Sequence, residues 1–108
     1  IALVKLASPV NEVATFDLYE GESELGQEVL LFGRGDYGNG EVGIIGTDKK
    51  LRKATNLVDE VNDYWIKFRF DAPPNCTVLE GVSGIGDSGG PALIEKEDKL
   101  SVAGVSSW

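Results

Sequence analysis

The sequence predicts an all-β fold, and three observations support this. The apolar residues fall into short runs, and glycine-rich turns separate these runs. No segment has the sustained period of a long amphipathic helix. The chain has 108 residues, which allows one small domain at most, and it contains no internal repeat. Short strands joined by such turns favour a β-barrel or a β-sandwich.

Three strands are predicted in the first half of the chain. The apolar run from Ile1 to Leu6 is the first of them. Residues 11–26 contain only scattered apolar residues, so we interpret them as a linker. The second strand runs from Glu28 to Phe32 and ends at Gly33-Arg34-Gly35. After a glycine-rich loop, Val42 to Ile45 is predicted as the third strand.

Residues 64–70 alternate in the way that is typical of a half-buried strand. Ile66, Phe68 and Phe70 share one face, and two basic residues share the other. Residues 59–63, which include three acidic side chains, are expected to end the preceding strand. Pro73-Pro74 ends the strand, because proline cannot donate to a β-ladder.

The composition excludes several partners. Eighteen acidic residues stand against 10 basic ones, and the net charge of −8 argues against nucleic acid or an anionic membrane as a partner. No apolar run approaches the roughly 20 residues that span a bilayer. Cys76 is the single cysteine, so no disulfide can form within the chain. The chain also has no histidine, which is the usual base for a serine nucleophile.

The stretch from Gly84 to Ala92 carries the strongest chemical signal. Ser88 lies in a run of glycines, where its hydroxyl can be presented as a nucleophile. The N–H groups of Gly86 and Ser88 could then point at the oxygen that becomes charged when an acyl group is attacked. A glycine-rich surface turn with an ordinary serine is the alternative.

Two other patterns fit the same stretch less well. It matches both the G-x-G-x-x-G dinucleotide fingerprint and the G-x-S-x-G nucleophile elbow, and each of these requires a helix directly afterwards. Here Gly90-Pro91 follows instead, and then the apolar run Ala92 to Ile94. Charged residues 95–99 form a predicted turn, and Leu100 to Trp108 forms a last strand.

Three motifs resemble those of the trypsin-like (chymotrypsin-fold) serine proteases. Gly86 to Pro91 spells the family's GDSGGP motif around its active-site serine, and Val102 to Trp108 resembles its later V-x-G-V-x-S-W strand. Ile1 to Leu6 resembles its I-A-L-x-x-L strand. The scarcity of cysteine resembles bacterial-type members. Leu51 to Val58 resembles a further strand of the family, which precedes the specificity region.

The resemblance implies an antiparallel Greek-key barrel. It implies that residues 1–26 are the end of an N-terminal barrel and an inter-barrel linker. Residues 27–108 would be most of the C-terminal barrel, incomplete at its end. The histidine and the aspartate of the catalytic triad would lie upstream of Ile1. The 108-residue chain alone is therefore expected to be inactive.

The resemblance also implies roles for three catalytic residues. Ser88 would be the nucleophile, and Gly86 would share the oxyanion hole with it. Asp87 would pair with the freed N-terminus of the mature enzyme. Because that partner is not in this chain, and a buried carboxylate without a partner is unfavourable, we expect the loop from Gly84 to Gly90 to be disordered or collapsed.

The substrate-binding residues follow from the same resemblance. The family's specificity residue corresponds to Val82, although the alignment could slip to Ser83 or Gly81. Valine cannot attract lysine or arginine, so a small or apolar substrate side chain is expected. Ile85, next to the motif, belongs to the same substrate-binding set.

Ser107 and Trp108 match the pair whose backbone lines up antiparallel with the substrate in the family. A plain edge strand with an aromatic cap is the alternative. The expected partners are a protein or peptide substrate and the missing N-terminal half, with no nucleic acid and no membrane. An unpaired edge could also lead to an edge-strand or swapped dimer.

The resemblance implies no cofactor and no metal, and it implies a secreted or periplasmic location. A second hypothesis belongs to another class: a catalytically inactive, protease-like binding or regulatory module. The discriminating feature is whether a histidine base and an aspartate precede Ile1 in the longer protein.

Overall fold

The computed structural model describes residues 1–107, and these residues form strands and turns without a helix. The all-β prediction is thus confirmed. Nine strands are found in this part of the chain: β1 Asp17–Leu18, β2 Glu28–Gly33, β3 Tyr37–Asn39, β4 Gly43–Gly46, β5 Arg52–Leu57, β6 Glu60–Val61, β7 Ile66–Lys67, β8 Pro91–Lys96 and β9 Lys99–Val105.

Five of the strands form one sheet in the order β1-β9-β8-β2-β5. Strand β2 lies between β5 and β8, and its Leu30 lies opposite Thr55 of β5 and Leu93 of β8. All pairs are antiparallel except β1 with β9, where Asp17 lies beside Ser101 in a parallel arrangement. The sheet is therefore mixed, whereas an antiparallel one was expected.

The hydrophobic core lies on one face of this sheet. Alternate residues of β2 and β8 point to that face, where they meet a buried valine that follows β5. Leu30 and Leu93 point the other way and are also buried, which explains why both strands are continuous apolar runs. The core cluster consists of Val29, Leu31, Val58, Ala92 and Ile94.

Two short hairpins flank the sheet. Strands β3 and β4 pair with each other, as do β6 and β7. Ile66 of β7 packs against the core cluster. A Cβ on Gly104 of β9 would lie 3.0 Å from the Cδ1 atom of Ile66, so the glycine leaves the space in which this side chain lies.

The hairpin between β8 and β9 confirms the prediction of strand, turn and strand. Its turn is tighter than the predicted segment 95–99, because β8 continues to Lys96 and β9 begins at Lys99. Glu97 and Asp98 both have positive φ angles, of 53° and 60°. Two such residues make the type of turn whose twist matches that of an antiparallel ribbon.

Three predictions about strands are wrong. Residues 1–6 are exposed and form no strand, because an apolar run becomes a strand only beside a neighbour that accepts its hydrogen bonds. Asp17–Leu18 lies within the predicted linker but forms β1. Only Ile66–Lys67 of the alternating segment is a strand, and it pairs with Glu60–Val61, where a break was predicted.

The main sheet does not close into a barrel within residues 1–107. One of its edges is β1, which is only two residues long. The other edge, β5, is covered by the segment that follows Val78. There the backbone N–H of Thr55 donates to the carbonyl of Leu79 at 2.8 Å, and the carbonyl of Thr55 accepts from the N–H of Gly81 at 3.1 Å. The loop that contains Ser88 leads directly into β8, so this sheet holds one end of the loop in place.

Candidate active site

Ser88 lies at the surface, in the loop that enters β8. The residue is exposed, and its hydroxyl makes no hydrogen bond to the other residues that the structure describes. The flanking Gly86 and Gly89 have φ angles of +96° and +87°. These conformations strain residues with a Cβ atom, so the glycines allow the loop to turn on both sides of the serine.

The loop is tied to the end of β9 by two backbone hydrogen bonds. Gly89 donates to the carbonyl of Ser106, and Ser106 donates to the carbonyl of Gly90, both at 2.8 Å. This pairing brings the predicted nucleophile and the predicted substrate-binding residue Ser107 to the same end of the sheet. Ser107 is exposed there. Trp108, the other residue predicted in that role, lies outside the described residues.

Asp87 has partners within the chain, so the expectation that it lacks one is wrong. Its Oδ1 atom accepts a hydrogen bond from the N–H of Gly35 at 2.6 Å, and its Oδ2 atom accepts one from the N–H of Gly84 at 2.9 Å. Backbone donors can stabilise a half-buried carboxylate without an ammonium group. The premise for a disordered or collapsed loop therefore does not hold.

The loop is also hydrogen-bonded within itself. The backbone N–H of Asp87 donates to the carbonyl of Gly84 at 3.1 Å, and the N–H of Gly90 donates to the carbonyl of Asp87 at 2.9 Å. The N–H groups of Gly86 and Ser88 have no acceptor among residues 1–107. These two N–H groups, one on each side of Asp87, therefore remain available to donate to a bound oxygen atom.

A cleft of about 910 Å³ opens beside the loop. Val82 and Ser83, the predicted specificity residues, line it together with Asp87. Ser88 and Ile85 do not line it, and Ile85 is 74% exposed. The structure thus brings two of the predicted substrate-binding residues to a concave surface and leaves Ile85 outside it.

A network around Glu80 shapes the wall of this cleft. Glu80 accepts hydrogen bonds from the N–H groups of Asp71 at 3.0 Å and of Thr77 at 2.8 Å, and from the Thr77 hydroxyl at 2.8 Å. The hydroxyl of Thr55 on β5 donates to that of Thr77 at 2.7 Å. Burial by itself would raise the pKa of Glu80, but these hydrogen bonds hold that pKa below its ordinary value.

Sequence reasoning missed Glu80, and it assigned the glycines at positions 33 and 35 only to the end of a strand. None of these three positions lies in a recognised motif, so no local signal in the sequence could have identified their roles. Cys76, the single cysteine, is half-buried and lines the cleft.

Residues 1–107 hold no group of three or more histidine, cysteine or acidic side chains arranged to bind a metal ion. Within the same range, no helix has the length and the apolar character needed to cross a membrane.

Comparison with known proteins identifies no relative. No family model matches the chain, and it matches no curated protein and no solved structure.

Proposed function

We propose that this chain is part of a trypsin-like serine endopeptidase, which hydrolyses peptide bonds through an acyl-enzyme on Ser88. The observation that carries the proposal is the GDSGGP segment, Gly86 to Pro91, on an exposed loop. In that loop the N–H groups of Gly86 and Ser88 have no acceptor among residues 1–107. Its serine is exposed, as substrate attack requires, and the preceding residue, Asp87, lines a cleft.

In the proposed reaction, the hydroxyl oxygen of Ser88 forms a bond to the carbonyl carbon of the substrate. A histidine outside this chain takes the hydroxyl proton and passes it to the leaving amine as the peptide bond breaks. The N–H groups of Gly86 and Ser88 hold the negative oxygen of the tetrahedral intermediate. Water then hydrolyses the acyl-enzyme and restores the serine.

Under this proposal the fold is the C-terminal half of a Greek-key double barrel. An N-terminal half would supply the histidine and aspartate and would cover the exposed apolar residues 1–6. The substrate is a protein or a peptide with a small or apolar residue before the cut, because Val82 lines the cleft. The enzyme would work outside the cytoplasm, and the open sheet edges would permit a dimer.

The test is covalent labelling of the intact parent protein with a serine-reactive phosphonate. We expect labelling of the wild-type parent at Ser88 and none in Ser88→Ala, with Ser106→Ala as a control that retains labelling. The isolated 108-residue chain should remain unlabelled and should not cleave peptides, since it has no histidine. Failure of the folded parent to react would contradict the proposal and would favour a protease-like binding or regulatory module.

A further inference from the structure

Two backbone segments that are far apart in the sequence meet beneath the loop of Ser88. The N–H of Asp36 donates to the carbonyl of Ile85 at 2.8 Å. The N–H of Gly35 donates to one oxygen of the Asp87 carboxylate, and the N–H of Gly84 donates to the other. Both carboxylate oxygens of Asp87 therefore accept a hydrogen bond from the backbone.

This contact is possible because side chains are missing on both segments. A Cβ on Gly33 would overlap the carboxylate of Asp87. On Gly35, a Cβ would lie 2.5 Å from the carbonyl oxygen of Ile85 and 2.7 Å from Oδ1 of Asp87. On Gly84, it would lie 2.6 Å from the carbonyl oxygen of Asp36. Real Cβ atoms do not approach other atoms so closely, so only glycine fits.

We infer that Gly33, Gly35 and Gly84, here called the carboxylate cradle, are positioning residues for Ser88. The cradle fixes the side chain of Asp87, which directly precedes the serine. The carbonyl of Asp87 accepts from Gly90, and its N–H donates to Gly84. A fixed Asp87 thereby holds the loop on both sides of Ser88, including the N–H groups that would bind an oxyanion.

The inference about loop geometry stands on the contacts alone, and only its effect on reactivity rests on the proposed function. The resemblance to the serine proteases assigns Asp87 an ammonium partner. The cradle is a separate set of contacts, and it acts through residues at the end of β2, about 50 positions earlier in the sequence.

Amide hydrogen exchange on the 108-residue chain tests the loop geometry. Gly33→Ala adds a Cβ where the carboxylate lies. Asp87→Asn adds no bulk but turns one acceptor into an NH₂ group that faces an N–H donor. In Gly33→Ala we expect the amides of both Gly35 and Gly84 to exchange at least about 10-fold faster, and in Asp87→Asn we expect this of the amide that loses its acceptor. The amide of Leu93 in the core should keep its protection in both variants.

Gly46→Ala is the matched control, because a Cβ at Gly46 would meet nothing within 4 Å. It should leave all of these exchange rates unchanged. Unprotected amides of Gly35 and Gly84 in the wild-type chain would overturn the inference. So would unchanged protection of both amides in folded Asp87→Asn, a variant that remains informative if Gly33→Ala fails to fold.

Phosphonate labelling of the intact parent tests the effect on Ser88. We expect folded Gly33→Ala to be labelled at least about 10-fold more slowly than the wild type, and Gly46→Ala to be labelled normally. Equal labelling rates in Gly33→Ala and the wild type would refute the positioning role and leave the proposed function intact. An unlabelled wild-type parent would instead refute the proposed function, and the exchange rates would still decide whether the cradle holds the loop.

Discussion

Glu80 shows how a single carboxylate can organise the segment that covers the edge of β5. It accepts three hydrogen bonds, from Asp71 and Thr77, and Thr77 in turn contacts Thr55. The wall of the cleft, which includes Val82, therefore depends on an ionised side chain.

We predict that Glu80→Gln lowers the free energy of unfolding by about 1–2 kcal/mol at pH 7, because hydrogen bonds to a charged acceptor are lost. The pKa of Glu80 is lowered in the folded state. Its contribution is thus present above the unfolded-state pKa of about 4.3 and is lost as the pH falls through the folded value. Urea unfolding at pH 7 and pH 3 measures this, and the difference between variant and wild type should shrink at pH 3.

The exposed Glu95→Gln, at the end of β8, is the control for this measurement and should leave stability unchanged at both pH values. An equal loss in Glu80→Gln at pH 7 and pH 3 would mean that the charge of Glu80 is not what stabilises the segment.

Val82 offers a test of substrate preference. In the intact parent, Val82→Asp should raise kcat/KM for peptides with lysine or arginine before the cut, relative to those with alanine or valine. We expect a shift in this ratio of at least about 10-fold, because a negative charge in the cleft attracts a basic side chain. Val42→Asp adds the same charge outside the lining of the cleft and should not change the ratio. An unchanged ratio in Val82→Asp would exclude Val82 from the specificity pocket.

At the scale of the elements, the turn of the β8–β9 hairpin holds two residues that do not favour its backbone conformation. Glu97 and Asp98 both adopt positive φ, and glutamate has no side-chain feature that favours this conformation. Asparagine followed by glycine is the pair that such a turn prefers.

Replacing Glu97-Asp98 by Asn-Gly should therefore raise the free energy of unfolding by about 0.5–1 kcal/mol. Thermal and urea unfolding measure this, and the urea m-value should stay constant. Lys96→Gly is the counterpart, because Lys96 is the last residue of β8, and there glycine should lower stability. A destabilised Asn-Gly variant would contradict the turn described here.

Most of the strands that the sequence predicted correctly carry an apolar run of their own. Strands β2 and β8 are recognisable because both of their faces are buried, and β5 was identified through its resemblance to a family strand. Strand β1 was missed because Asp17–Leu18 has no local pattern and pairs with residues near the other end of the chain. Strands β6 and β7 have two residues each, which is too short for any period to be visible.

The candidate site was predictable to the same extent. Ser88, Gly86 and Asp87 lie in a motif that is contiguous in the sequence, so they could be identified together. The role of Gly33 and Gly35 could not, because it depends on where Asp87 places its carboxylate in space. Asp87 was expected to lack a partner because backbone N–H groups, which every residue carries, leave no trace in a sequence.

At the scale of the whole molecule, residues 1–16 stand apart from the sheet. All of them are exposed, including several large apolar side chains. Removing residues 1–16 from the 108-residue chain should change the thermal midpoint by less than about 4 °C, because surface groups contribute roughly 0.5 kcal/mol or less. The exposed apolar side chains would also be lost, so we expect less self-association in sedimentation experiments.

Matched truncation provides the control for this measurement. Removing residues 1–20 also deletes β1 and the hydrogen bond from Tyr19 to Val102, and it should lower the midpoint further. A large loss of stability on removal of residues 1–16 alone would show that the segment packs against the sheet.

The parallel pairing of β1 with β9 has a consequence for how the chain assembles. Leu18 leaves the ribosome well before its neighbour Val102, because the two lie 84 positions apart in the sequence (102 − 18). At about 5–20 residues per second, synthesis of that interval takes roughly 4–17 s. For most of that time β2 also lacks its partner β8, since β8 and β9 belong to one hairpin late in the sequence. Strand β1 and one edge of β2 must therefore stay unpaired until the β8–β9 hairpin emerges and completes the sheet.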